Sequence, residues 1–301
     1  CFPIMREMEV KHGGLVRAMI ARKREKSRAA KAKGEKAGSG GPAGPGGHLT
    51  SFRGGLDRLI SRLTERHQPI IHTNRAAARI ERAAAPQPAL GASPEPSWLI
   101  TDTLGHSVRA RQVVIACPTF VAAGLFRESN RDLALAFDAI PYADIAVVAT
   151  GHRREDIGHP LDGFGFLVPR NQGLRILGSI WTSSIFSGRA PAGHVQFRTM
   201  LGGAGDSEAV GMSNEELWAT IRREIGPLLG IKTDPAFMRV YRWRRGIPQF
   251  NIGHLDRRKR IEQLLSAQPG LHVVGNAYYG VGLNDCVKMA RKVAARIGAS
   301  G

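Results

Sequence analysis

Little sulfur chemistry is open to this chain. Its three cysteines, Cys1, Cys117 and Cys286, are scattered and odd in number, which excludes a disulfide scaffold and a cysteine-rich zinc site. Cys117 and Cys286 read as buried structural thiols at strand or helix ends. Long hydrophobic runs are missing too. Stretches such as Ile145–Ala149 stop far short of the roughly 20 residues a membrane-spanning helix needs. No secretory signal opens the chain, and residue 1 is Cys rather than Met. There is no Gly-x-Ser-x-Gly elbow and no phosphate loop ending in Gly-Lys-Ser/Thr. His152 and His159, placed on a loop, have no acidic or cysteine partner at metal-ligand spacing, so no metal is expected. A cytoplasmic protein is the expectation.

Acidic residues are scarce: 25 Asp+Glu stand against 43 Lys+Arg, for a net charge of +18 over 301 residues. The excess is uneven. Arg17–Lys36 holds nine basic and two acidic residues and runs into Gly38–Gly47, a Gly/Pro/Ser stretch unable to form a helix or a strand interior. A polybasic arm for nucleic acid or anionic lipid is one reading. No aromatic residues interleave the charges as a stacking surface requires, so a solvated surface excursion is favoured and no nucleic-acid partner is expected. The rest of the chain keeps an excess of +11, suited to an anionic ligand.

Periodicity gives the elements. Leu56, Leu59, Ile60 and Leu63 form an amphipathic stripe expected on a core. Short strands follow near Pro69–Thr73 and Ala77–Ile80, then an Ala/Pro-rich loop over 83–97 and a hairpin, Trp98–Thr103 with Ser107–Arg111. Val113–Ala116 is a continuous apolar run, expected to be buried on both faces. A small-residue helix covers Phe120–Phe126. Ile145–Thr150, Gly163–Val168, Arg175–Thr182 and Val195–Leu201 then read as strands with no helix between, hence an antiparallel sheet. A helix capped at Ser213 runs to about Leu229, followed by a strand at Phe237–Trp243, a helix at His254–Ser266 and a strand at Leu271–Val274. The last helix runs to about Ile297 with an inward stripe of Leu283, Val287, Ala290, Ala294 and Ile297. Two α/β stretches thus bracket an antiparallel sheet. Between the last strand and helix lies a turn with Gly280 and Gly282, where unpaired N–H groups at a positive helix end can meet an electron-rich ring edge or an anion.

Gly270–Cys286 (GLHVVGNAYYGVGLNDC) resembles the C-terminal flavin motif of FAD-dependent protoporphyrinogen/coproporphyrinogen oxidases, in the amine-oxidase-like flavoprotein superfamily. Ser51–Leu56, Gly158–Pro169, Leu177–Phe186, Leu201–Gly203 and Arg239–Gln249 resemble further family segments, in order, over almost the full length. The resemblance implies an α/β fold: an incomplete Rossmann-like FAD domain with an inserted antiparallel-sheet substrate domain. Its parts are a helical segment and basic loop (1–50), the middle of the FAD domain (51–137), the substrate sheet (138–250) and the C-terminal FAD segment (251–301). No strand with a Gly-x-Gly-x-x-Gly turn opens the sequence; Gly38-Ser39-Gly40 is followed by Pro42. The chain is therefore expected to lack the first flavin-binding segment and to be inactive alone.

By resemblance, Ala77, Asn276, Val281, Gly282 and Leu283 contact FAD, and Phe164, Gly165, Leu167, Ile180 and Met200 line the porphyrinogen pocket. Gly202→Ala, which only crowds a strand end, is expected to be milder than Gly282→Val, which is expected to abolish flavin retention. The implied reaction is six-electron oxidation of protoporphyrinogen IX in haem biosynthesis, with O2 as acceptor. The flavin does the chemistry, so no catalytic side chain is required. Propionates need cations, and Arg175, Arg198, Arg239, Arg242, Arg244 and Arg245 lie near in sequence. Coproporphyrinogen III is the alternative substrate. Another amine-oxidase-like activity and a non-catalytic polybasic module are the alternative functions. Peripheral attachment to the inner membrane and homodimerisation are left open.

Overall fold

The structure, a computed structural model, describes residues 3–14, 16–21, 24–25, 49–83 and 97–299. The loop over 38–47, most of the basic stretch and all but the ends of the 83–97 loop lie outside them. The chain forms two units, Cys1–Ile71 with Phe250–Asp256 and His72–Gln249 with Arg257–Gly301.

The first unit holds helices α1 (Pro3–His12) and α2 (Asp57–His67). In α2, Asp57 sits in the first turn and Arg66 and His67 in the last, each opposing the helix dipole. Its apolar stripe departs from expectation. Leu56, Ile60 and Leu63 are 57%, 60% and 48% exposed, and no residue of α2 is buried. Periodicity selects a face, but burial needs a surface to meet it, and no described residue covers this one. The strand expected near Pro69–Thr73 is instead a 3-10 turn, Gln68–Ile70, with Pro69 where a free N–H is not needed.

The second unit has two cores. The first gathers strands β1 (Ala77–Arg82), β2 (Trp98–Asp102) and β3 (Ser107–Ala110), paired antiparallel in that order. Strand β4 (Val113–Ile115) follows, then helices α3 (Thr119–Phe126) and α4 (Arg131–Asp138). Far along the chain, β10 (Leu271–Val273) lies parallel to β4, with Leu271 opposite Val113 and Val273 opposite Ile115. Val113 N–H donates to the Gly270 carbonyl at 2.8 Å. A Cβ on Gly270 would sit 2.2 Å from the Arg111 carbonyl oxygen, and its φ is +80°, so only glycine fits that approach. Trp98 ties the same ends together: its Nε1 donates to the Pro269 carbonyl at 3.0 Å, and Arg82 lies 4.1 Å over its ring. Ile80, Trp98, Ile115, Phe126, Leu133, Phe137, Ile261, Leu271 and Met289 fill this core. Ile115 points inward, but Val114 is 43% exposed, so β4 is not buried on both faces. Helices α6 (His254–Ser266) and α7 (Leu283–Ala299) flank β10 in sequence.

The second core sits on one face of a five-stranded antiparallel sheet of order β6-β7-β8-β5-β9. Its strands are β5 (Tyr142–Arg153), β6 (Gly165–Leu167), β7 (Ile176–Trp181), β8 (His194–Gly202) and β9 (Phe237–Pro248). Helix α5 (Asn214–Leu229) presents Leu217, Ile221, Ile225 and Leu229, each four residues apart, to Val148, Phe197, Ile176 and Leu201 in the same core. Burying each such side chain contributes about 1.5–3 kcal/mol. His152 is in β5, not on a loop; it is 1% exposed, with ring centroids 5.4 Å from Phe197 and 5.8 Å from Trp218.

Candidate functional site

Two places in the second unit hold the residues that the sequence singles out. The first is the turn from β10 into α7. Ala277 and Tyr278 are buried, each 2% exposed, and fix the backbone that follows. The Tyr278 hydroxyl is enclosed without a hydrogen-bond partner among the described residues, and burial pushes its pKa up, so it stays a neutral phenol. Tyr279 donates to Glu262 under the Arg258 guanidinium, and its pKa is pushed up to about 12 by burial first and by Glu262 second. Next, Gly280, Val281 and Gly282 turn the chain into α7. The Gly282 carbonyl accepts from both Asp285 N–H (3.0 Å) and Cys286 N–H (3.1 Å).

Among the described residues, the N–H groups of Val281, Gly282 and Leu283 have no acceptor. The side chains of Val281 and Leu283 are 61% and 52% exposed, and Asn276 is exposed. A Cβ on Gly280 would sit 2.6 Å from Asp285 Oδ2, and one on Gly282 would sit 3.3 Å from the same atom. That carboxylate, 3.8 Å from Lys288 Nζ, already supplies negative charge at this helix end. A phosphate arriving here would be repelled, whereas a ring edge with carbonyl and imine acceptors would accept the free N–H groups. Four of the five residues assigned to the cofactor thus converge on one turn. Ala77 does not join them: it opens β1, exposed and opposite Asp102.

Beside the turn lies a cavity of about 710 Å3, walled by Leu265 of α6, Leu271 and Val273 of β10, Tyr279, and Met289 and Val293 of α7. It gives α7 an inward stripe of Met289 and Val293, both 7% exposed, in place of the expected one; Leu283 and Val287 point outward.

The second place is the face of the five-stranded sheet opposite α5. Residues paired across the strands form rows on it. Leu167, Gly178, Met200, Val147 and Tyr241 make one row; Gly165, Ile180, Arg198, Ala149 and Arg239 make the next. Leu167 is 77% exposed and Met200 and Ile180 are half-buried, so the face is open and apolar. Gly165, Leu167, Ile180 and Met200 are therefore brought together. Gly165 has a second reason to be glycine: a Cβ there would sit 2.0 Å from the Ser179 carbonyl oxygen. Phe164, exposed, precedes this edge, its carbonyl accepting Trp181 N–H at 2.9 Å. Three of the neighbouring arginines are committed elsewhere. Arg175 makes two bonds to Asp206, Arg242 donates to Val210 and Met212 carbonyls and to Asn214, and Arg245 lies 3.8 Å over Phe120 and near Asp138.

No group of three or more metal-ligating side chains occurs among the described residues. Nor is any described helix long and apolar enough to cross a membrane.

A family model of flavin containing amine oxidoreductases matches residues 1–298. The chain belongs to that family. The protoporphyrinogen oxidase of rice chloroplasts (Oryza sativa subsp. japonica) is 32% identical over 85% of this chain and 48% of its own length. The coproporphyrinogen III oxidase of Bacillus subtilis is 29% identical over 62% of this chain and 40% of its own length. A solved structure described as a candidate protoporphyrinogen oxidase from Exiguobacterium superposes with a TM-score of 0.72 at 22% identity, covering all of this chain and 58% of that one. A putrescine oxidase structure follows at 0.60 and 15% identity, over 83% of this chain and 54% of that one. These likenesses show the fold, and the chain spans about half or less of the curated relatives it matches.

The family's cofactor is FAD. The turn at 280–283 fits it: three free N–H groups at a helix N-terminus, and a glycine at 282 leaving the main chain open to a ring.

Proposed function

We propose that the protein carrying this chain oxidises a porphyrinogen, protoporphyrinogen IX to protoporphyrin IX, with O2 as final acceptor, in the cytoplasm. The observation that carries this reading is the open sheet face. Its five strands span about 19 Å, wide enough for a tetrapyrrole, and the rows Leu167–Gly178–Met200–Val147–Tyr241 and Gly165–Ile180–Arg198–Ala149–Arg239 hold apolar residues and glycine, with Arg198, Arg239 and the Tyr241 hydroxyl as the polar exceptions. Phe164, Gly165, Leu167, Ile180 and Met200 hold and orient the macrocycle there and exclude water. Bound FAD would supply the two-electron acceptor chemistry for oxidation at a bridging methylene, with O2 as final acceptor, and three such two-electron oxidations account for the six electrons removed. Backbone N–H groups of Val281, Gly282 and Leu283 support the charge that gathers on the ring edge, with Asn276 beside it and Ala77 serving the adenine end. No carboxylate or imidazole stands in those two rows, which suits a substrate that loses its other protons by tautomerising.

Coproporphyrinogen III is the second substrate to weigh, because the Bacillus subtilis relative is named for it. The test gives the full-length flavoprotein each porphyrinogen in air and follows porphyrin fluorescence. Protoporphyrinogen should be the better substrate; failure to oxidise either, or turnover of an amine instead, overturns the proposal.

A further inference from the structure

The register of the sheet singles out two of the six neighbouring arginines. Arg198 on β8 and Arg239 on β9 are both opposite Ala149 of β5, so they flank one alanine in a single cross-strand row. Two strand spacings separate their backbones by about 9–10 Å. Both are exposed, and neither has an ion pair or hydrogen bond among the described residues. No paired position of this face is acidic: the neighbouring row is Leu167, Gly178, Met200, Val147 and Tyr241, and beyond Arg198 and Arg239 come Gln196, Gly151 and Phe237. Two unneutralised guanidiniums at the margin of an apolar plane repel each other, and no ion pair or hydrogen bond among the described residues offsets this. A flat apolar ligand with two carboxylates on one edge would satisfy both, each guanidinium taking a carboxylate through paired N–H donors.

We infer that Arg198 and Arg239 form a two-point carboxylate clamp that sets how the macrocycle lies on the sheet, gripping a vicinal pair of propionates while the apolar row carries the ring. This rests on the porphyrinogen reading above and deepens it. The clamp also bears on substrate choice. Protoporphyrinogen has two propionates, both on one edge, and leaves none over the Leu167–Tyr241 row. Coproporphyrinogen has four and would lay unpaired carboxylates on apolar surface.

The test measures steady-state oxidation by the full-length flavoprotein, wild type and Arg198→Gln, Arg239→Gln and Arg239→Lys, with protoporphyrinogen IX and with its dimethyl ester. Each glutamine variant should raise KM for the diacid roughly 10- to 100-fold, the loss of a charge-assisted bond. Its kcat should change little, lysine should restore part of the affinity, and turnover of the ester should be unaffected. Equal loss with diacid and ester, or an unchanged KM, overturns the clamp while leaving the oxidase reading in place. A wild type that oxidises neither compound overturns the oxidase reading and the clamp with it.

Discussion

Gly282 lies outside the left-handed region, and a Cβ there would meet only the mobile Asp285 carboxylate at 3.3 Å. The fold should therefore accept Gly282→Val. Flavin content of the full-length enzyme should fall roughly tenfold or more, with its melting temperature unchanged; a fully yellow variant would remove the ring edge from this turn. Gly202 is the reverse case. It sits at φ +109°, and its Cβ would stand 2.8 Å from the Asp144 carbonyl oxygen, so alanine there strains the backbone as well as crowding a strand end. Gly202→Ala should cost about 1–3 kcal/mol in denaturant unfolding. His152 makes no hydrogen bond with either ring nitrogen, and burial pushes its pKa below the ordinary 6.5, with Asp156 and Asp234 partly opposing. The unfolded chain then binds the extra proton first, so stability holds above pH 6.5 and falls as pH drops through the depressed folded value. His152→Phe should flatten that acid loss in melts taken across the range. From sequence, His152 is a solvated loop residue; only strand pairing with Val195 buries it.

At the scale of elements, local signals read well where they are local. Ser213 and Glu216 form a reciprocal capping box, Glu216 N–H to Ser213 Oγ at 3.1 Å and Ser213 N–H to Glu216 Oε2 at 2.7 Å. Ser213→Ala should cost about 1 kcal/mol by thermal unfolding. The strand-like runs Ile145–Thr150 and Val195–Leu201 likewise lie inside strands found. Faces read less well. In helix α7 periodicity favours Leu283, Val287, Ala290, Ala294 and Ile297, but the buried residues are Met289 and Val293, with Met289 packed in the first core. The arginine-rich end of β9 hides a strand that runs on to Pro248, which an exposed edge permits because its charges stay in water. The clamp arginines have the same origin. Six arginines look alike in sequence, and only the register across β8, β5 and β9 sets Arg198 and Arg239 in one row.

The whole molecule joins pieces far apart in sequence. Val113–Ile115 and Leu271–Val273 share one parallel pair, and the five-stranded sheet lies between them in the chain. That split follows from the order of apolar runs, because two β-α stretches surround strands with no helical spacing. The exposed stripe of α2 and the outward Leu283 and Val287 of α7 do not follow from it, since periodicity says which residues share a face and nothing about what meets that face. The account places electron removal at the turn near Gly282 and porphyrinogen on the sheet face of the same protein. Anaerobic mixing of the full-length yellow protein with protoporphyrinogen IX joins the two in one observation. The account predicts bleaching of the flavin absorbance with appearance of porphyrin, and return of the yellow colour on admitting O2. Flavin that stays oxidised in the presence of excess porphyrinogen would contradict it.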